Sequence, residues 1–285
     1  MCRIRALAAT ALSLGMVLGA ASPALAWFSK PATPVKAPAV QTQAQGTLAT
    51  GTRPELRRAS AQERALVARL DPLARAAFWG REAQTDSNDI EAGLGLSQAL
   101  RALGKNDDAV EAAQRVLVTH PTNVEAMLEV ARGHIGRGQG FYAIDPARQA
   151  QALAPGDWRA PSLLGVAYEQ AGRDEEAMTS HRLALTLAPN NPAALSNLAM
   201  FLAGRGQAVQ AESLLREACA KPGAGIAIRQ NLALVLGLQG RLDEAEKLVR
   251  EDLPPEQVAS NMAYLRAAAA PNGPGRTWDA MRANP

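Results

Sequence analysis

Apolar and polar residues follow one another in helix-length segments over residues 55–270, and Gly and Pro punctuate these segments. Ala and Leu are abundant, runs of β-branched residues are few, and aromatic residues make up only 4% of the chain. Helices favour unbranched side chains, whereas strands favour β-branched and aromatic ones. We therefore expect an all-α protein.

Three series of residues repeat along this region at an interval of 34 residues. The glycine series is Gly104, Gly138, Gly172, Gly206 and Gly240; the alanine series is Ala109, Ala143, Ala177, Ala211 and Ala245; the proline series is Pro121, Pro155 and Pro189. A glycine that takes a positive φ ends a helix at low cost. Each alanine lies five residues later, where a small side chain lets a second helix approach the first closely.

A 34-residue period with these landmarks is typical of the tetratricopeptide repeat, in which each unit is a helix, a turn and an antiparallel second helix. We predict a tetratricopeptide repeat solenoid over residues 55–270. Its repeats are 90–123, 124–157, 158–191, 192–225 and 226–259, after a degenerate repeat at 56–89 and before a capping helix at 256–270.

The second repeat departs from the pattern. It contains Gly140 and Pro146 in the region of its second helix. Because proline is tolerated best in the first turn of a helix, we expect this helix to begin late, with Asp145 as its N-cap.

The two ends of the chain have other compositions. Residues 1–26 carry Arg3 and Arg5, then an apolar run, then Ala24-Leu25-Ala26, an order that predicts a signal peptide cleaved after Ala26 and a periplasmic location; a retained N-terminal anchor is the alternative. Residues 27–54 are rich in Pro, Ala, Thr and Gln, which predicts a disordered linker. Residues 271–285 are rich in turn-forming residues, which predicts a flexible tail.

Charge and cysteine content narrow the function classes. The chain has 30 basic and 27 acidic residues and no basic block, so a nucleic-acid partner is not expected. Of its two cysteines, Cys2 leaves with the signal peptide, so Cys219 has no partner for an internal disulfide.

The sequence contains no recognisable catalytic or metal-binding motif. His120, His134 and His181 fall at packing or capping positions of the repeat, without HExxH or paired Cys/His spacing. The segment "GLGLSQA" lacks the GxSxG of a nucleophile elbow. We predict a chain that is not an enzyme and needs no cofactor or metal; an enzyme with an unrecognised site is a minor alternative.

The first helices of stacked repeats line a concave face that usually holds a peptide or a partner helix. On these helices, the residues at positions 2, 5, 6, 9 and 12 of each 34-residue repeat are predicted to line a partner-binding groove. Its candidate residues are Leu94, Gln98, Arg101, Leu128, Arg132, Glu169, Asn197, Met200, Gln230, Asn231 and Leu234. Asn197 and Asn231 share one repeat position, and their amides suit either a bound peptide backbone, a solvated groove, or hydrogen bonds to neighbouring helices.

The segment "RQNLALVLGLQGRLDEAEKLVREDLPPEQVASNMAYLRAA", residues 229–268, resembles the TadD family of tetratricopeptide proteins, from the tight-adherence (Flp) pilus assembly system. The similarity extends over about residues 70–270. It implies an exported, non-enzymatic assembly factor of a type IVb pilus machine, with partners such as the outer-membrane secretin. Many members carry an acylated N-terminal cysteine, whereas Cys2 precedes the apolar run here, so a lipid anchor is not expected. The alternative is a general periplasmic tetratricopeptide scaffold or chaperone for cell-envelope or secretion enzymes.

Overall fold

The computed structural model describes residues 57–269, which form thirteen helices and no strand. The helices are α1 (Ala61–Val67), α2 (Pro72–Thr85), α3 (Ile90–Ala102), α4 (Asn106–Thr119), α5 (Val124–Gly136), α6 (Gly140–Leu153), α7 (Arg159–Gln170), α8 (Asp174–Leu187), α9 (Pro192–Ala203), α10 (Ala208–Cys219), α11 (Ile226–Leu238), α12 (Leu242–Asp252) and α13 (Pro255–Ala269). The predicted all-α repeat solenoid is confirmed. The predicted signal peptide, linker and tail lie outside the described residues.

Helices α3 to α12 form five hairpins, one in each predicted 34-residue window. The glycine that ends each first helix has a φ between +69° and +81°, as the repeat pattern predicts. At the third hairpin the N–H of Arg173 donates to the carbonyl of Tyr168 at 2.8 Å, which closes the end of α7 around Gly172. These turns set each second helix antiparallel to the first.

The joint of each hairpin is built from small residues. All five alanines of the 34-residue series are at most 1% exposed. Across the third hairpin, a Cβ added at Gly165 would lie 2.5 Å from the ring of His181. The two helices therefore pack at a separation that only glycine permits at this position.

The predicted late start of the second helix in repeat two is wrong. Helix α6 begins at Gly140 and contains Pro146 in its interior. Its first turn is fixed by packing, because a Cβ at Gly140 would lie 2.4 Å from the carbonyl oxygen of Ala167 in α7. Asp145 does not cap the helix; it accepts a hydrogen bond from Gln149 at 2.7 Å. Contact with the next repeat thus outweighs the proline's preference for a first turn.

The N-terminal end of the solenoid is held by an ion-pair cluster. Arg64 of α1 donates to Glu82 at 2.5 Å, to Asp89 at 2.5 Å and to Glu91 at 2.7 Å, and its side chain is only 8% exposed. Hydrogen bonding to Asp89 is the largest of several effects that raise the Arg64 pKa above its ordinary value. Since α1 is short, these bonds fix its position beside α2 and α3.

The C-terminal end is covered by apolar packing. Val258, Met262 and Leu265 of α13 are at most 5% exposed. A Cβ at Gly237 in α11 would lie 2.6 Å from the Leu265 side chain. Helix α13 therefore covers the apolar face that the last hairpin would otherwise expose, the arrangement expected of a capping helix.

Candidate binding groove

Positions 2, 5, 6, 9 and 12 of each 34-residue repeat lie on the first helices α3, α5, α7, α9 and α11 and are the predicted inner row of the solenoid. We call this row the groove. In a tetratricopeptide solenoid the second helices lie behind it on the outer side. Its two halves differ in chemistry.

The N-terminal half of the groove is an ion-pair network. Glu129 is 1% exposed and accepts hydrogen bonds from Arg101 of α3 at 3.1 Å and from Arg132 of its own helix at 2.6 Å. Glu125 accepts from Arg132 at 3.0 Å and from Arg159 of α7 at 2.6 Å. The network joins three consecutive repeats, so the predicted groove residues Arg101 and Arg132 are already engaged by carboxylates of this chain.

The C-terminal half carries a ladder of neutral hydrogen bonds. Asn197 of α9 donates through Nδ2 to the Ser162 hydroxyl of α7 at 2.8 Å, and Asn231 of α11 donates to the Ser196 hydroxyl of α9 at 3.0 Å. Of the three alternatives, the structure therefore shows bonding to neighbouring helices. The Oδ1 atom of Asn231 is buried and accepts no hydrogen bond from any described residue.

Three of the predicted groove residues are inside the protein. Leu128 is 0% exposed, Leu234 is 5% exposed and Gln230 is 7% exposed. Leu128 and Leu234 belong to buried apolar clusters, so these side chains contribute to the stack and do not reach a partner. The prediction that these three residues line the groove surface is therefore wrong.

Glu169 lies at the edge of the groove. It accepts a hydrogen bond from Arg205 at 3.1 Å, and the same guanidinium lies 3.8 Å from the centroid of the Phe201 ring and pairs with Asp174. Burial raises the Glu169 pKa, and Arg205 opposes this rise. Glu169 is thus partnered within the chain.

A short accessible apolar stripe lies in the C-terminal half of the groove. Met200, which the sequence predicts, and Val166, which it misses, occupy the same position in consecutive repeats and are partly exposed above the core. Leu163 lies one turn away on α7 and is also partly exposed. The shared position 9 is the sequence signal that identifies Val166.

The three histidines and Cys219 are not grouped into a metal site in the described part of the chain. His181 is 1% exposed in the third hairpin, and His134 packs against Tyr142 with ring centroids 5.8 Å apart. Cys219 is partly buried, and this burial raises the pKa of its thiol. Within residues 57–269 there is no group of three or more His, Cys, Asp or Glu side chains that could hold a metal.

No helix in the described part of the chain combines the length and apolar character needed to cross a membrane.

Comparison with known proteins identifies the repeat. Two family models, both described as a tetratricopeptide repeat, match residues 162–193 and residues 193–221 and 226–253. Among solved structures, TTC0263, a thermophilic TPR protein of Thermus thermophilus, is similar with a TM-score of 0.56, at 24% identity over 61% of this chain and 97% of that chain. MamA from Desulfovibrio magneticus RS-1 is similar with a TM-score of 0.47, at 22% identity over 55% of this chain and 89% of that chain. No curated protein sequence matches.

The family models and the likeness to TTC0263 confirm tetratricopeptide repeats and the solenoid fold. At these identities they do not extend to a pilus role, and the resemblance to the TadD family stays a prediction from the sequence.

Proposed function

We propose that the protein is an exported, non-enzymatic scaffold that binds a segment of a partner protein in its groove and acts in the assembly of a Flp-type pilus secretion system. The observation that carries the binding role is the accessible stripe of Leu163, Val166 and Met200, which lies on the inner row of consecutive repeats. Tetratricopeptide scaffolds bind proteins through such rows. The pilus role is supported by the sequence resemblance over residues 229–268.

The chemistry of the groove indicates the kind of segment it binds. The charged residues of the N-terminal half are paired with one another, and the amide donors of Asn197 and Asn231 are used between helices. Affinity must therefore come largely from apolar contact with the stripe, as when an amphipathic helix lays its apolar face in a groove. The partner segment is expected to present two or three apolar side chains at helical spacing.

The test is a pull-down of the full chain from a strain that carries the pilus genes, with mass spectrometry of the bound proteins. The groove variant is Val166→Glu with Met200→Glu, which places charge on the stripe. The control variant is Val209→Glu, because Val209 is 77% exposed on the second helix α10. Asn197→Ala is not suitable, since it also removes a bond between helices.

We expect wild type and the control to recover a pilus-system component such as the secretin, and the groove variant to lose it. Equal recovery by all three would contradict the groove as the binding site. Recovery of wall-synthesis or other secretion enzymes, with no pilus protein, would favour a general envelope scaffold. Export is tested separately: the periplasmic protein should begin at Trp27.

A further inference from the structure

A cleft of about 630 Å³ opens at the N-terminal end of the groove, between α1, α2 and α3. Leu94 and Gln98, two of the predicted groove residues, form part of its wall. The cleft is therefore continuous with the groove, and a segment that lies along α3 extends into it. Arg75 and Trp79 of α2 face it from the other side.

The cleft exists because the first helix of the degenerate repeat is short. Helix α1 has 7 residues, whereas the first helices of the later repeats have 12 or 13. Helix α1 and its C-cap residue Ala68 present only Ala65 and Ala68 to the cleft beside Arg64. The floor is rigid, because Trp79 lies on Gly95 so closely that an added Cβ would be 2.6 Å from the indole ring.

Arg75 is a cation in this cleft that no described residue neutralises. Its Nε is buried and has no hydrogen-bond partner, and its guanidinium makes no ion pair with any described residue. Arg64, across the cleft, is by contrast bonded to three carboxylates. Buried donors without partners are rare in native proteins because each costs free energy. Arg75 is also the fourth residue of α2, where the helix dipole disfavours a cation.

We propose, on the basis of the proposed function, that this cleft binds an acidic side chain of the segment that lies in the groove. Its carboxylate accepts from the Arg75 guanidinium, which suits a carboxylate with two parallel bonds. A neighbouring apolar side chain packs on Trp79 and Leu94. Because the cleft continues into the groove, the acid is an internal residue of the segment and not a chain end. Glu91 in the cleft wall disfavours a doubly charged phosphate.

The test is phage selection of random 12-residue peptides, displayed with a blocked C-terminus, on the full chain. Four proteins are compared: wild type, Arg75→Gln, Arg75→Glu and Arg81→Gln. Arg81 is an exposed arginine of the same helix without an ion pair in the described part of the chain, so it controls for lost charge. Thermal melting checks the folding of each variant, and Arg75→Gln should melt no lower than wild type because Arg75 has no native partner to lose.

We expect wild type and Arg81→Gln to enrich Asp or Glu at one position beside an apolar residue. Selected peptides should bind Arg75→Gln about tenfold or more weakly, since a hydrogen-bonded charge pair is lost. Arg75→Glu should select Lys or Arg at that position instead. An acid preference that is unchanged in the Arg75 variants would overturn the assignment.

Different outcomes would contradict the carboxylate site and the binding of a segment in the groove. Enriched peptides that show no acid preference, and that fail to bind the Val166→Glu, Met200→Glu variant, would overturn the carboxylate site and leave the groove intact. A lack of enriched peptides in every selection would contradict segment binding itself, and the carboxylate site with it.

Discussion

His181 is a buried titratable residue at a repeat position that is apolar in the two repeats that follow. His181 lies where the next two repeats have Leu215 and Val249, and it is 1% exposed. Neither ring nitrogen has a hydrogen-bond partner among residues 57–269. Burial, aided by the charge of Arg205, lowers the His181 pKa to about 4. The folded protein therefore keeps this ring neutral at pH values where the unfolded chain protonates it.

His181 should make the protein sensitive to acid. The unfolded chain binds the extra proton below pH 6.5 and the folded chain only near pH 4, so stability falls as the pH drops through this window. Between pH 7 and pH 4, we expect the free energy of unfolding of the wild type to fall by an amount on the order of 2–3 kcal/mol because of His181. His181→Leu should remove this contribution. Urea unfolding at both pH values measures it. An identical pH dependence in wild type and variant would show that the ring is not buried neutral.

Substitution of a turn glycine should destabilise the protein through backbone strain alone. Gly172 has φ +70° and no atom within 4 Å of an added Cβ, so Gly172→Ala introduces conformational strain without a clash. We expect a loss of about 1 kcal/mol. Gly156→Ala is the matched control, since Gly156 also has open space but no positive φ. Equal unfolding midpoints for the two variants would contradict this origin.

Between elements, polar contacts fix how one first helix lies on the next. Glu129 ties α5 to α3 through Arg101, and the Ser162–Asn197 bond ties α7 to α9. The amino-acid pattern places these residues on first helices but does not distinguish a side chain that faces solvent from one that faces the adjacent helix. For Asn197 and Leu128 that distinction decides between a binding surface and an internal contact.

The ion pairs of buried Glu129 should contribute more to the free energy of unfolding than an ion pair on the surface. Glu129→Gln leaves Arg101 and Arg132 without their shared carboxylate, and we expect a loss of about 3 kcal/mol. Glu111 pairs with Arg115 on the exposed face of α4, so Glu111→Gln should change stability by less than about 0.5 kcal/mol. Urea unfolding of both variants provides the comparison. Similar losses would mean that the network is screened by solvent.

At the scale of the molecule, the solenoid has two different ends. Ion pairs around Arg64 hold α1, whereas apolar contacts of Leu265 and its neighbours hold α13. In a linear stack each repeat contacts only its neighbours, so damage at one end should remain local.

Loss of the α13 contacts should unfold the C-terminal hairpin first. Leu265 is 0% exposed, and Leu265→Ala should cost about 2–5 kcal/mol. Hydrogen exchange should show faster exchange in α11 to α13 and unchanged exchange in α3 to α6. The control is Leu73→Ala, because Leu73 is 66% exposed in α2. Uniformly faster exchange across all hairpins would show that the stack unfolds as one unit.

The local pattern determined the fold of this protein: glycine at positive φ and alanine at the closest approach are required within each hairpin, so their 34-residue spacing revealed five hairpins directly. Tertiary structure decided the rest. Packing of Gly140 on α7 set the start of a helix that contains Pro146. Contacts between repeats buried Leu128 and engaged Asn197, whereas the Arg75 guanidinium has no partner within the described repeats. Residues that share a repeat position differ in these respects because their neighbours, some 35 residues away in the chain, differ.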